Sequence, residues 1–171
     1  KRLPNRLIKK SFRAYNTENS EEYYNIAVSD GTVLTMTSAS DKEWTDYIGG
    51  KASAENRKIL LQIPDARLEN LTLSTTNENI SLPALAVSGN IVAASNGGDI
   101  TFERLNVGMS LSVAAKNGNI EGTVIGSYDD FAIQTEIKKG ESNLPDNKTD
   151  GSKTLNVSSN HGDVNIEFVK E

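Results

Sequence analysis

The sequence contains no cysteine and only one histidine and one tryptophan among its 171 residues. The absence of cysteine excludes disulfide bonds, zinc–thiolate sites and a cysteine nucleophile. No apolar run approaches the ~20 residues that a transmembrane helix needs, and no signal-peptide pattern is present. A formal net charge of −5 with a pI near 5.0 argues against a dedicated nucleic-acid-binding protein.

Apolar residues make up 36% of the chain and charged residues 24%, a balance that allows a packed core in one domain or two small ones. The opening stretch, KRLPNRLIKKSFR, is strongly basic and does not begin with Met, so we expect the chain to be part of a longer protein. Residues 1–20 have two interpretations. They are either a basic tail near a membrane surface with an anchor upstream, or a solvated linker with an irregular first strand.

One short turn motif is written four times in the second half of the chain. It reads NENI at residues 77–80, NGGDI at 96–100, NGNI at 117–120 and NHGDV at 160–164. From Leu71 onward the chain aligns with itself in blocks of twenty residues. A fixed period of this size is typical of solenoid proteins.

Within each block, apolar residues alternate in pieces of about three to five residues, which is the pattern of strands and not of helices. Three short strands in twenty residues predict one coil of a single-stranded parallel β-helix, so we predict an all-β protein with this repeat over residues 71–171. Right-handed coiling is expected, because β crossovers overwhelmingly have that hand. An antiparallel β-sandwich is the alternative, since short strands with regular turns are typical of both.

The alignment places apolar residues in columns that should point inward. Position 1 holds Leu71, Ile91, Leu111, Phe131 and Leu155, and position 3 holds Leu73, Ala93, Val113, Ile133 and Val157. Position 10 holds Ile80, Ile100, Ile120 and Val164, with Gly140 out of pattern, and position 15 holds Leu85, Leu105 and Ile125. Thr101, one residue beyond Ile100, should point to solvent because side chains alternate along a strand.

The repeated motif is interpreted as one corner of each coil. Position 8 holds Glu78, Gly98, Gly118 and Gly162, and a left-handed corner favours glycine. Position 9 holds Asn79, Asp99, Asn119 and Asp163, whose short side chains can bond nearby backbone groups and form a ladder between coils. A calcium site is the alternative, although calcium-binding rolls use nine-residue repeats with an Asp in every turn.

Residues 21–70 do not follow the period and predict a β cap on the repeat region. Asp30–Gly31 lies between two alternating apolar runs, which indicates a hairpin with a two-residue type I′ turn. Ser40 and Glu43 form a capping box that predicts a short helix near residues 41–48. Trp44 in that helix either packs inward or serves as a ligand platform. The run KILLQIP at residues 58–64 predicts a buried strand ended by proline.

Residues 138–154, KKGESNLPDNKTDGSKT, interrupt the repeat and contain almost no apolar side chains. They predict a loop excursion that protrudes from the repeat region. Protruding loops on a rigid scaffold commonly carry recognition. The excursion is therefore either a recognition loop or a disordered insertion.

The candidate residues for catalysis do not form a recognisable constellation. His161 lies in a turn motif, and no G-x-S-x-G nucleophile motif accompanies it. The acids available to a polysaccharide-cleaving enzyme are Glu103, Glu121, Asp129, Asp130 and Glu136. Asp129 and Asp130 are neighbours that would point to opposite faces of a strand. We therefore predict a protein that is not an enzyme, with no catalytic, metal-binding or cofactor-binding residues.

The outward positions of the predicted coils carry small side chains, namely Thr72, Ser74, Ser81, Ser112, Ala114 and Ser158. Such positions predict flat β faces without the exposed aromatic platform that carbohydrate sites usually have. A flat face of this kind can bind a flat polymer or another protein, or it can simply be solvated.

From about residue 23 to residue 169 the chain resembles a bacterial domain of unknown function with β-strand repeats that is commonly labelled an adhesin. The resemblance rests on the W-x-x-Y-I-G motif of Trp44, on the strand and proline at residues 60–64, and on LTLSTTNENI with the later N-G-[DN]-I turns. It continues in IEGTVIGSYDDFAIQ, in NLP at residues 143–145 and in LNVSSNHGDVNIEF. Glu78 departs from the pattern, because such turns usually carry glycine there.

The resemblance implies a cell-envelope protein, often with a membrane segment ahead of the repeat domain, and it supplies no catalytic residues. We therefore expect a non-catalytic, extracytoplasmic adhesin-like or scaffold domain at the bacterial cell surface. Its expected partner is another envelope protein or an extracellular polymer, and not nucleic acid. A carbohydrate-binding or carbohydrate-active β-helix domain is the alternative function.

Overall fold

The computed structural model describes residues 68–171 in full and the backbone of four short strands at residues 13–14, 24–29, 33–38 and 59–60. The chain divides into two compact units, residues 1–63 and 64–171. No helix among the described residues is long and apolar enough to cross a membrane.

The described part of the first unit consists of two antiparallel strand pairs. Strand β1 (Arg13–Ala14) pairs with β4 (Ile59–Leu60), and β2 (Tyr24–Ser29) pairs with β3 (Val33–Ser38). The hairpin predicted around Asp30–Gly31 is confirmed, but its turn is not the predicted two-residue one. Ser29 pairs with Val33, which leaves residues 30–32 between them. The helix predicted near residues 41–48, with Trp44, lies outside the described residues.

The second unit contains two sheets. Its strands are β5 (Asn70–Thr75), β6 (Ile80–Leu82), β7 (Leu85–Val87), β8 (Asn90–Ser95), β9 (Ile100–Val107), β10 (Ser110–Asn117), β11 (Ile120–Ile125), β12 (Phe131–Ile137), β13 (Asn147–Lys148), β14 (Lys153–His161) and β15 (Val164–Val169). The six-stranded sheet has the order β13-β12-β14-β10-β8-β5, and the five-stranded sheet has the order β15-β11-β9-β6 with β7 also paired to β9. All pairs within these sheets are parallel except β12–β13, so the antiparallel sandwich is wrong for this unit.

From β5 to β12 the chain alternates between the two sheets, whereas β12, β13 and β14 follow one another in the six-stranded sheet. We call each of the strands β5, β8, β10, β12 and β14, together with the chain that follows it as far as the next of these strands, a pass. Paired residues of the first three passes are twenty positions apart, except that Leu105 pairs with Val124 after a bulge in β9. Leu71 pairs with Ile91, which pairs with Leu111. In the other sheet Ile80 pairs with Ile100 and Ile100 with Ile120. The predicted columns at positions 1 and 10 are therefore confirmed over these passes.

Side chains alternate between a buried and an outward face along the strands. In β10, Leu111, Val113 and Ala115 are buried, whereas the intervening side chains are half-buried. Because each sheet has one buried face, the two buried faces enclose a common apolar core. The side chains with no exposed surface include those of Ile91, Ile100, Leu105, Val107, Leu111, Ile120, Val124, Phe131 and Leu155. At about 25 cal/mol per Å² of apolar surface removed from water, this burial is the main stabilising term of the unit.

The last two passes are stacked in the reverse of their chain order. Strand β14 pairs with β10 on one side and with β12 on the other, so the final pass lies between the third pass and the fourth. The sequence alignment had placed Phe131 directly after Leu111. It is Leu155 that pairs with Leu111, and Phe131 lies one strand further out.

The fourth pass also has a different register from the predicted one. Ile133, and not Phe131, pairs with Leu155, so the predicted alignment of this block was displaced by two residues. The same two-residue displacement puts Ser142, and not Gly140, at position 10 of the fourth block. Ser142 forms a parallel bridge with Val164, the position 10 residue of the last block. A two-residue displacement keeps the same side chains inward because the period of a strand is two.

A β-bulge in β9 moves a further predicted core position. Phe102 pairs with Gly122 but Leu105 pairs with Val124, so β9 has one residue more than β11 between the two pairs. Arg104 in this segment has φ of 44°, the left-handed conformation that a bulge accommodates. Val124 is fully buried whereas Ile125 is only half-buried, so the inward position predicted for Ile125 was wrong.

The glycines at position 8 are required by close packing more than by backbone conformation. A Cβ on Gly98 would lie 2.4 Å from the carbonyl group of Glu78, and one on Gly118 would lie 2.4 Å from the carbonyl oxygen of Gly98. Only Gly162 of this predicted column has a left-handed φ, at 143°, so the predicted reason was wrong for the others. Glu78 belongs to the first of the described passes, and no described residue of the column precedes it. Glycine is needed in this column only where a Cβ atom would clash with a carbonyl group of the adjacent pass.

Candidate interaction surfaces

The outward side of the six-stranded sheet is a flat surface of small, uncharged side chains. Two rows of side chains at register positions cross it from β5 to β12, one beginning at Thr72 and the other at Ser74. We call this surface the neutral face and define it by Thr72, Val92, Ser112, Asn156, Gln134, Ser74, Ala94, Ala114 and Ser158. Glu136 ends the second row. The small outward residues predicted at Thr72, Ser74, Ser112, Ala114 and Ser158 are thus brought together on one surface.

The outward side of the five-stranded sheet has a different character. Thr101 pairs with Ser81 and Glu121, and Glu121 pairs with Asn165. Thr123 pairs with Glu167 in the next outward row. We call this surface the acidic face and define it by Ser81, Thr101, Glu103, Glu121, Thr123, Asn165 and Glu167. These residues line a shallow depression of about 330 Å³.

Gly122 and Phe102 are paired beneath the acidic face, and the Phe102 ring packs on the inward side of the sheet. A Cβ on Gly122 would lie 2.3 Å from the ring of Phe102, so glycine at this position leaves room for the ring. The Phe102 side chain is almost fully buried. Both residues border the depression, together with Leu82. Glu103 and Glu121 were candidate acids from the sequence; Glu167 was missed because nothing in its strand distinguishes it from a solvated glutamate.

The Asx residues of the corners form the predicted ladder. The backbone N–H of Asp99 donates to Oδ1 of Asn79 at 2.9 Å, and that of Asn119 donates to Oδ1 of Asp99 at 2.8 Å. The ladder continues from Asn119 to Asp163 and from Asp163 to the N–H of Glu141, both at 2.9 Å. Each Oδ1 thus satisfies a backbone donor of the next pass, which is a structural role. In the part of the chain that the structure describes, no group of three or more His, Cys, Asp or Glu side chains could hold a metal ion.

The residues considered for catalysis lie on different parts of the unit. His161 is exposed at the end of β14. Asp130 is in a 3₁₀ turn (Tyr128–Asp130), where its carboxylate accepts from the N–H of Ser127 at 2.7 Å and completes a capping box. Glu136 ends a row of the neutral face, whereas Glu103 and Glu121 lie on the acidic face of the other sheet. The structure therefore brings Glu103 and Glu121 together and separates them from Glu136.

The segment predicted as an excursion at residues 138–154 lies along the end of the two sheets, and the strand after it begins at Lys153. Its backbone forms hydrogen bonds with the edge of β15: the N–H of Val164 donates to the carbonyl of Glu141 at 2.8 Å. The side-chain amide of Asn143 completes this edge, accepting from the N–H of Ile166 at 3.0 Å and donating to its carbonyl at 2.9 Å. Leu144, within the segment, is buried.

The same segment covers the edge of β12. Strand β13 pairs antiparallel with β12. The N–H of Thr135 in β12 donates to the carbonyl of Asp146 at 2.9 Å. The ammonium of Lys148 donates to the carbonyl of Phe131 at 2.8 Å. Unpaired strand edges invite pairing with another chain. Residues 141–148 thus cover backbone groups at the end of both sheets, a role that the sequence did not indicate.

An exposed aromatic residue lies at this end of the unit. Tyr128 is 41% exposed and meets the ring of Phe168 edge to face, with 5.6 Å between centroids. The ammonium of Lys148 lies 5.2 Å from the centroid of the Tyr128 ring, within the range of a cation–π interaction. The sequence predicted no exposed aromatic platform, and among residues 68–171 the Tyr128 ring is the one departure from that prediction.

Comparison with known families gives one match that covers nearly the whole chain. The family model described as Toastrack DUF4097 matches residues 9–171. Neither the curated proteins nor the solved structures contain a match to this chain. The resemblance to a domain of unknown function with β-strand repeats is thereby confirmed, whereas the adhesin label stays a prediction. The chain belongs to the Toastrack DUF4097 family, whose function is unknown.

Proposed function

We propose that residues 68–171 form a parallel β-helix with coils of about twenty residues, and that this solenoid serves as a non-catalytic scaffold. The twenty-residue register of the first three passes and the alternation of the chain between two sheets support the solenoid. A coil cannot bury its apolar face alone, so each pass depends on its neighbours for stability.

The observation that carries the scaffold function is the contrast between the two outward sides of the solenoid. One side is neutral and flat, and the other carries Glu103, Glu121 and Glu167 around a shallow depression. Flat, regular surfaces with distinct charge suit the docking of macromolecules more than the enclosure of a small substrate. The acidic face is the proposed docking surface for a basic segment of an envelope or extracellular component.

The proposed location is the outer side of the bacterial cytoplasmic membrane or the cell surface. Residues 1–63 carry ten basic and eight acidic side chains, whereas residues 64–171 carry eight basic and fifteen acidic ones. A basic segment is attracted to an anionic lipid surface and an acidic one is repelled. The excess of basic over acidic side chains in residues 1–63 supports a location close to an anionic membrane surface.

The proposal can be tested by capturing envelope components on the immobilised chain and comparing two charge reversals. Glu121→Lys changes the acidic face, and Glu136→Lys changes the border of the neutral face with the same chemistry. We expect a component that is retained by the unmodified chain to be lost with Glu121→Lys, kept with Glu136→Lys and released by salt. Equal retention by all three proteins would contradict docking on the acidic face.

A carbohydrate-binding or carbohydrate-active domain is the second candidate, and exposed Tyr128 with the nearby Lys148 ammonium favours it. Aromatic rings are common platforms for sugar rings. A glycan array and polysaccharide-cleavage assays on the purified chain separate the two functions. Ligand binding that is lost with Tyr128→Ala, or any turnover, would establish the second candidate in place of the scaffold.

A further inference from the structure

The centre of the neutral face is apolar, the other residues that define the face are polar and uncharged, and the charged side chains of Lys116 and Glu136 lie at its border. Val92 is 37% exposed, and Ala94 and Ala114 are half-buried and paired with each other on adjacent strands. Serine, threonine and asparagine side chains surround these three residues within the two rows. An apolar centre depleted of charge, inside a polar rim, is the usual anatomy of a protein–protein interface.

Charge restricts which protein can occupy this face. Residues 64–171 carry fifteen acidic and eight basic side chains, a net charge of −7. Two copies that approach through their acidic faces repel each other, because Glu103, Glu121 and Glu167 would meet their counterparts. The nine residues that define the neutral face bring no charge to an interface. This is consequently the side on which two copies can meet with least repulsion.

We propose that the neutral face docks a second copy of this chain, face to face. The proposal rests on the proposed scaffold function only in leaving the acidic face free for another component. In a two-fold symmetric dimer the same patch is used by both partners, so Val92, Ala94 and Ala114 of one copy pack against the neutral face of the other. The two acidic faces then point away from the dimer in opposite directions, which makes the scaffold bivalent.

The size of the face sets the strength of this association. Five strands spaced about 4.8 Å apart and about six residues long cover roughly 500 Å² per copy, or roughly 1,000 Å² in total. This area is at the lower end for specific interfaces. The dimer is therefore weak and depends on concentration, and it becomes abundant where the chain is locally concentrated.

Sedimentation velocity of the full chain from micromolar to millimolar concentration tests the proposal. We expect a shift from monomer to dimer in the unmodified chain and at least a tenfold weaker association for Val92→Glu. The matched control is Thr101→Glu, which adds the same charge to an exposed strand position on the other sheet and should dimerise as the unmodified chain does. Ala114→Arg is a second variant of the neutral face, and urea unfolding establishes that each variant is folded.

Added salt gives an independent readout. Salt screens the repulsion between two acidic copies, so the neutral-face dimer should become tighter as salt is raised, whereas a dimer held by ion pairs would become weaker.

A chain that stays monomeric at the highest concentration would overturn the proposal. So would dimers that persist in both neutral-face variants, or dimers that Thr101→Glu abolishes equally. A monomeric chain that still retains an envelope component through Glu121 would overturn self-association alone and leave the scaffold function standing.

Discussion

The backbone N–H of Asn119 donates a hydrogen bond to Oδ1 of Asp99, with 2.8 Å between nitrogen and oxygen. The carbonyl of Asn119 in turn accepts from the N–H of Ile100 at 2.9 Å. One residue of the third pass is thus bonded twice to the second pass at this corner. Because the contact is repeated at each stacked corner, the Asx ladder fixes the register of the passes relative to one another.

Asp99→Ala removes the acceptor for the N–H of Asn119 and should lower the free energy of unfolding by about 1–3 kcal/mol. Asp99→Asn is the matched control, because it keeps Oδ1 and occurs naturally in this column at Asn79 and Asn119. The control should cost less than ~1 kcal/mol. Urea denaturation measures both changes, and equal losses would show that the carboxylate charge matters more than the hydrogen bond.

Substitution by Asp should lower the free energy of unfolding much more at Ile100 than at the neighbouring Thr101. Ile100 has no exposed surface, and its pairing partners are Ile80 and Ile120. Ile100→Asp buries an unpaired charge and should cost more than ~4 kcal/mol or prevent folding. Thr101 is exposed, so Thr101→Asp should cost less than ~1 kcal/mol even with Glu121 on the adjacent strand.

Chemical denaturation of both variants decides this contrast. The prediction does not depend on what the protein binds. A larger loss for Thr101→Asp than for Ile100→Asp would mean that the inward and outward faces of β9 have been exchanged, and comparable losses would contradict the assignment of Thr101 to the outward face.

Asn143 should be important for the end of the two sheets although its side chain is polar and lies in a loop. Asn143→Ala leaves the N–H and carbonyl of Ile166 without their side-chain partners, which should cost about 1–3 kcal/mol and expose the edge of β15 to other chains. Asn147→Ala is the control, because Asn147 is exposed and takes part through its backbone pairing with Gln134.

We expect faster aggregation, by light scattering near the unfolding midpoint, for Asn143→Ala than for the control. If both variants aggregate like the unmodified chain, then the side chain of Asn143 does not protect this edge.

The regular part of the fold could be predicted from the sequence because its information is local and repeated. The twenty-residue spacing of Ile80, Ile100 and Ile120 determines their pairing, and the Asx side chains mark the corners. The outward small residues of the neutral face follow from the same alternation. These features are the part of the candidate site that sequence reasoning could identify.

The failures occurred where the outcome depends on competition between distant segments. Phe131 and Leu155 both lie in strands with alternating apolar residues, and either could follow Leu111 by pattern alone. Their places are decided by packing and by the turn around Asp130, which has no counterpart in the earlier passes. Similarly, the bulge at Arg104 shifts the inward position from Ile125 to Val124, and hydrophobic spacing carries no signal for an added residue in the partner strand.

The order of the passes determines which residues form both outward faces, and engineered cysteines measure it directly because the chain has none of its own. Ser112 pairs with Asn156 on the adjacent strand β14, whereas Ala132, which the twenty-residue period would place beside Ser112, pairs with Thr154 one strand further out. Directly paired residues lie within the ~4.4–6.8 Å between Cα atoms that a disulfide spans, and residues two strands apart lie beyond it.

Mild oxidation of Ser112→Cys/Asn156→Cys and of Ser112→Cys/Ala132→Cys, followed by mass spectrometry of the intact chain, is the decisive measurement. The account predicts an intramolecular disulfide in the first variant and free thiols in the second. A disulfide in the second variant and free thiols in the first would place β12 beside β10, and would contradict the strand order on which the neutral and acidic faces depend.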